Sequence, residues 1–205
     1  MASQSFWRRA LADPGWIAAV EPDGTSHAAG DLLARVNQLT HGLQARGLRP
    51  GDGLAVLVPN GLAALEVYLS ALQAGWYLTP INWHFTSPEI AYILRDCEAK
   101  VFFVHERFAA AGSAAAAEAA IPASGRLCYR TVPGFLPVDA VRDGQPTELP
   151  RDRTAGTTMH YTSGTPGAPR GCAVSCPAWT RTTPRSCPRC CRSCSASRPA
   201  RRTCT

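Results

Sequence analysis

Residues 54–81 read LAVLV-PNG-LAALEVYLSALQA-GWYLTPI. The first five, Leu54 to Val58, are apolar without interruption, as a strand covered on both faces requires. Pro59-Asn60-Gly61 stops the run, because proline removes a backbone donor and asparagine and glycine favour a turn. Leu62, Leu65, Leu69 and Leu72 then recur at helical spacing, which predicts a helix over about 62–74, closed by Gly75. Tyr77 to Ile81 reads as a strand again. A strand, a helix and a second strand in this order form the repeating unit of a parallel sheet.

The pattern extends in both directions. Upstream, Leu32, Val36, Leu39 and Leu43 mark an amphipathic helix over about 30–46 that ends at Gly47. Trp16–Val20 reads as a strand, and residues 5–12 as a short helix. Downstream, Ser87-Pro88-Glu89 opens a helix that runs to Cys97, with proline at a favoured first-turn position. Val101-Phe102-Phe103-Val104 is another apolar strand. The alanine-rich stretch 109–120 favours helix and reads as a surface helix or linker without a functional part. Residues 122–153 are rich in Pro, Gly and charge, with one strand near Leu127–Arg130, and Thr157–Tyr161 is a last strand. The fold class is α/β, a mainly parallel sheet with flanking helices.

Charge and cysteine divide the chain at residue 171. Of 21 Lys+Arg, seven arginines follow Gly171, which leaves 14 against all 15 Asp+Glu in residues 1–171. The same tail holds seven of the nine cysteines and no Leu, Ile, Phe or Met. Such a composition cannot bury a core, so 172–205 is expected to be a disordered Cys/Arg-rich tail beside a globular 1–171. The N-terminus lacks the apolar core of a secretion signal, and no run approaches the ~18 apolar residues of a membrane span. A cytoplasmic protein is expected, in which Cys97 and Cys128 serve as small buried residues.

Tyr161-Thr162-Ser163-Gly164-Thr165-Pro166-Gly167-Ala168-Pro169-Arg170-Gly171 carries the chemistry. Glycine-rich turns present backbone N–H groups to anions, hydroxyls add hydrogen bonds, and a cation offsets phosphate charge. The spacing is not that of a Walker A loop, since Pro169 stands at the second glycine position and Gly171 follows Arg170. Residue types and spacing alone leave a phosphate loop and a plain polar surface loop both open.

The run is similar to the YTSGTTGxPKG signature of adenylate-forming (AMP-binding) enzymes, specifically acyl-CoA synthetases. Three further segments resemble that family in the same order: Arg49-Pro50-Gly51-Asp52-Gly53-Leu54-Ala55-Val56; Pro59-Asn60 with Glu66 to Gly75; and Pro80-Ile81-Asn82-Trp83-His84-Phe85-Thr86 with Glu89 to Leu94. Together they span residues 5–171. The resemblance implies the N-terminal subdomain of the adenylate-forming fold. It also implies ATP-dependent activation of a carboxylic acid, with a fatty acid as the expected class, through an acyl-adenylate to acyl-CoA. ATP, Mg2+ and coenzyme A are the implied cofactors. Carried over residue by residue, Thr162, Ser163, Gly164, Thr165, Gly167, Arg170 and Gly171 would hold the phosphates. Arg170 replaces the usual lysine with a planar fork, and Pro166 replaces a threonine, removing a hydroxyl and a backbone donor. Trp83 and His84 are read as structural packing at a strand end.

In the family, the adenine and magnesium contacts and the catalytic lysine follow the glycine loop. No catalytic residue and no metal ligand is therefore assigned, and the chain is expected to be an inactive fragment. The tail is consistent with a reading-frame shift: one base earlier, each TGC or TGT cysteine codon yields the end of a Leu, Met or Val codon. Two other readings of the tail remain. Cys187/Cys190 and Cys191/Cys194 form abutting CxxC pairs, cramped for zinc. Seven arginines without an aromatic platform would bind nucleic acid by charge only, so no specific nucleic-acid partner is expected. An alternative function is a non-catalytic nucleotide-phosphate-binding module whose basic tail meets acidic partners.

Overall fold

The computed structural model describes residues 5–162 and 170–173. Helix α1 (Phe6–Ala12) and a hairpin of β1 (Ile17–Val20) and β2 (Ser26–Ala28) lead into α2 (Ala29–Ala45). Then β3 (Gly53–Leu57), α3 (Leu62–Ala74), β4 (Tyr77–Pro80), α4 (Ser87–Asp96) and β5 (Ala99–His105) alternate. After α5 (Ala109–Glu118) come β6 (Arg126–Tyr129), β7 (Leu136–Pro137), α6 (Val138–Arg142), β8 (Thr157–Thr162) and β9 (Arg170–Ala173).

Seven strands form one sheet in the order β7-β6-β5-β3-β4-β8-β9, and β1 and β2 form a separate antiparallel pair. Every contact in the large sheet is parallel except β8 with β9. The central strands alternate strictly between two cores. Leu54, Val56, Val101 and Phe103 meet α2, α3 and α6, whereas Ala55, Leu57, Phe102 and Val104 meet α4 and α5. Both faces are covered, which is why these strands read as continuous apolar runs. Phe102 and Phe103 are fully buried on opposite faces, each contributing roughly 2 kcal/mol of apolar transfer.

Local signals explain the helix limits. Gly75 takes φ 74°, a left-handed position open to glycine, and its N–H closes α3 on the Ala71 carbonyl. Helix α4 begins with a capping box: Thr86 accepts from the Glu89 backbone, and Glu89 accepts from Thr86 N–H at 2.7 Å. Asp52, in the Gly51-Asp52-Gly53 segment, accepts from Arg49 N–H at 2.8 Å and pairs with Lys100 at 2.7 Å, locking the turn before β3 to the start of β5.

Several expectations change. The alanine-rich stretch takes the helical of its two expected forms but is more than surface: α5 packs on α4 and β5, with Ala115 and Ala116 fully buried, because small side chains allow close approach. Residues 122–153 hold β7 and α6 besides the expected strand, and α6 covers α2 through Val138 and Val141. Strand β9 runs from Arg170 through Ala173, across the 171/172 boundary of composition. The remainder of the tail lies outside the described residues, including both cysteine pairs. Among the described residues, no helix is long and apolar enough to cross a membrane.

Candidate functional site

The two ends of the glycine-rich run lie on paired strands. Strand β8 pairs antiparallel with β9, placing Tyr161 opposite Gly171 and Thr162 opposite Arg170. The first hydroxyl residue and the cationic residue of the expected phosphate loop are thus brought together at its base, as register neighbours. Ser163, Gly164, Thr165 and Gly167 lie outside the described residues.

The hairpin belongs to the carboxyl-terminal edge of a parallel sheet, and two cavities open along the same edge. Strand β3 connects to β4 on one side, and β5 connects onward to β6 on the other. Ligand crevices form where neighbouring connections diverge in this way. A cavity of about 490 Å³ lies at the ends of β3 and β4, lined among others by Val58, Asn60, Ile81, Trp83 and Phe108. A second, of about 500 Å³, lies between the β1–β2 hairpin and the ends of β3 and β5, lined among others by Glu21, His27, Asn60, His105 and Arg130.

Trp83, expected to pack at a strand end, lies just beyond β4 and is 51% exposed. Its ring lies parallel to Phe108 (6.1 Å, 13°) and close to the His84 ring (3.5 Å), with the Arg107 guanidinium 5.9 Å away. The reason is position, since Trp83 and His84 follow the end of β4, where chain leaves the sheet and the core no longer covers it. His105 Nδ1 accepts from Arg107 N–H at 3.1 Å, and burial lowers the His105 pKa, keeping the ring neutral near pH 7. Glu21 is occupied by the N-terminus of α3, accepting from Leu62 N–H at 2.7 Å. Asp23 accepts from Thr25 N–H at 2.9 Å.

Among the described residues, no group of three or more His, Cys, Asp and Glu side chains is placed to hold a metal ion. Cys97 and Cys128 are buried and free, as expected. Burial raises the Cys97 pKa to about 11, which excludes a thiolate nucleophile near neutral pH.

The sequence profile described as "AMP-binding enzyme" matches residues 6–196, from α1 through the glycine loop and into the tail. The chain belongs to the AMP-binding enzyme family. Among its relatives, the feruloyl-CoA synthase of an Amycolatopsis species is 36% identical over 168 residues, covering 82% of this chain and 32% of that enzyme. The fatty acid–[acyl-carrier-protein] ligase ScoC of Streptomyces coeruleorubidus is 30% identical, covering 77% of this chain and 30% of the relative. In three dimensions, the N-terminal domain of FACL13 from Mycobacterium tuberculosis superposes with a TM-score of 0.70 at 26% identity, over 83% of this chain and 43% of that one. The anthranilate CoA ligase AuaEII shares the fold with a TM-score of 0.74 at 23% identity, over 84% and 34% of the two chains. The chain spans about a third of the length of the curated relatives it matches. The α/β architecture expected of an AMP-binding enzyme's N-terminal subdomain is thus the one observed.

Sequence reasoning missed two features of this AMP-binding chain. One is β9, which pairs antiparallel with β8 and brings the two ends of the motif together. The other is Glu66, fully buried between Arg142, Arg35 and Tyr129. A lone glutamate in the otherwise apolar helix LAALEVYLSALQA was the available signal.

Proposed function

We propose that this chain is the N-terminal part of an enzyme that activates a carboxylic acid with ATP and transfers the acyl group to coenzyme A. A substrate carboxylate oxygen attacks the α-phosphorus of ATP, and the bond to the bridging oxygen breaks, releasing pyrophosphate and forming an acyl-adenylate. The thiol of coenzyme A then adds to the acyl carbon, losing its proton, and AMP leaves. The observation that carries the reading is the β8–β9 hairpin, which sets Thr162 opposite Arg170 at the carboxyl edge of the sheet in a chain of this family.

In this reading the chain's own residues grip the β- and γ-phosphates. Thr162, Ser163 and Thr165 donate hydroxyl hydrogen bonds; Gly164, Gly167 and Gly171 allow close backbone approach; Arg170 supplies charge. A fatty acid is the proposed substrate class. The protein is proposed to be intracellular, with 172–205 arising from a shifted reading frame and the catalytic groups missing from the 205-residue chain.

Two measurements test this. The purified chain should bind ATP or pyrophosphate but form no acyl-CoA from fatty acids; measurable turnover would overturn the proposed inactivity, and no binding would overturn the loop assignment. Resequencing across codons 155–205 and downstream should reveal an AMP-binding continuation in the shifted frame, and its absence would sink the frameshift.

A further inference from the structure

Strand β8 leaves the main sheet part-way along. Thr157 and Thr158 pair with Tyr77 and Leu78 of β4, whereas Met159 to Thr162 pair with β9. Among the described residues, no part of β4 beyond Leu78 is in register with β8. The segment nearest the glycine loop is therefore a two-stranded hairpin, and such a pair is marginal without a surface to pack on.

Side chains supply that surface. Alternation turns Met159 and Tyr161 towards the core beneath α4, where both are partly buried, and leaves His160 exposed. Tyr161 also makes one polar contact: its O–H donates to Asp96 Oδ2 at 2.5 Å. Asp96 is the last residue of α4, a helix fixed at its other end by the Thr86–Glu89 capping box. The adjacent Arg95 is turned to Glu118, at 3.4 Å, so the Asp96 oxygen is left to the phenol. Burial, and then the Asp96 contact, push the Tyr161 ionisation far above its ordinary value, so the phenol remains a donor throughout the physiological range.

We propose that Asp96 is a positioning residue for polyphosphate binding: by holding the Tyr161 hydroxyl, it fixes the pairing of β8 with β9 and so the placement of Thr162 opposite Arg170. The proposal rests on the reading of that run as a phosphate loop. Asp96 lies 66 residues before Thr162 in the chain, outside every loop residue assigned above, and touches no phosphate in this scheme. Its effect passes through Tyr161, which directly precedes Thr162.

The test uses the full 205-residue chain as wild type, Tyr161→Phe, Asp96→Ala and Asp96→Asn. Calorimetry follows inorganic pyrophosphate, and amide hydrogen exchange read by mass spectrometry follows peptides of β8–β9, with β3 and β5 as internal controls of folding. Tyr161→Phe and Asp96→Ala should weaken pyrophosphate binding about tenfold, the scale of one charge-assisted hydrogen bond. They should speed exchange in residues 157–162 and 170–173 while β3 and β5 stay protected. Asp96→Asn retains a carbonyl acceptor and should restore most of both effects, which a merely bulky surface residue would not require. Unchanged hairpin exchange, unchanged pyrophosphate affinity, or an Asn variant no better than Ala would each overturn the proposal. If the wild type binds no pyrophosphate, the phosphate-loop reading falls by itself, and the exchange data still decide whether Asp96 fixes the hairpin.

Discussion

Arg142 of α6 reaches the carboxylate of Glu66 on α3, Nη1 to Oε2 at 2.9 Å, with the glutamate side chain fully buried and the arginine 9% exposed. Tyr129 donates to the same oxygen at 3.1 Å, and Arg35 of α2 takes the other. Burial alone would lower the Arg142 pKa; the Glu66 and Asp139 carboxylates outweigh it and raise the pKa overall. A charge in this position joins α2, α3, α6 and the end of β6, and it has no access to water.

Removing one partner should therefore cost more than the pair contributes. Arg142→Met leaves Glu66 short of its buried partner and should lower unfolding free energy by about 3 kcal/mol. Arg35 is 41% exposed, so Arg35→Met should cost under about 1 kcal/mol. The double change Glu66→Leu with Arg142→Met should recover much of the loss, since apolar replacement removes both desolvated charges. Urea denaturation followed by tryptophan fluorescence ranks the four proteins. An Arg142→Met midpoint equal to wild type would contradict this account.

The capping box of α4 predicts an acid-side signature. The Thr86 backbone N–H, then its hydroxyl, hold the Glu89 pKa below the ordinary glutamate value. A folded pKa below the unfolded one gives stability that is present above the unfolded value and lost as pH falls through the folded one. An NMR titration should place the Glu89 midpoint below 4.5, and Thr86→Ala should move it up while leaving the other carboxylates in place. A midpoint unaffected by Thr86→Ala would mean that the box is absent in solution.

Cys97 makes a prediction at the opposite end of the scale. Burial raises its pKa to about 11 from 9.0, so the unfolded state loses this proton first and stability should decline as pH rises between those values. In the native state at pH 8, peptide mapping after iodoacetamide should find Cys97 unmodified; in urea it should be alkylated at the rate of an ordinary thiol. Rapid native alkylation of Cys97 would refute the burial.

Gly156 stands immediately before β8, and a Cβ there would lie 2.1 Å from the Ala71 carbonyl oxygen and 2.6 Å from that of Trp76. Both are backbone atoms and cannot rotate away. Gly156→Ala should destabilise by about 2 kcal/mol, a cost typical of overpacking, and should displace β8 from β4. A thermal melt reads the first effect, and faster amide exchange over residues 157–162 reads the second. A variant as stable as wild type would show that the strand enters the sheet by another path.

The apolar runs at 54–58 and 101–104 declared strands covered on both faces, because each alternate residue must meet a different core. The helix over 62–74 was legible to the residue, since four leucines fix its face and Gly75 its end. The short elements were not. Strand β2, strand β7 and helix α6 have three, two and five residues, too few for a period to register. The glycine-rich run was legible as a family resemblance, but strand β9 was hidden, because pairing with β8 is a contact and leaves no pattern in Arg170–Ala173.

By itself, then, the sequence determined which of the longer segments are strand or helix and that the sheet is mainly parallel. These follow from local periodicity, turn chemistry and residue type. Only the tertiary structure decided that Trp83 stands exposed beside Phe108, that Glu66 is buried between two arginines, and that Asp96 holds Tyr161 beneath the hairpin of the loop. Each of these depends on which distant residues the folding chain brings within a few ångströms, and that distance is set by the packing of whole elements.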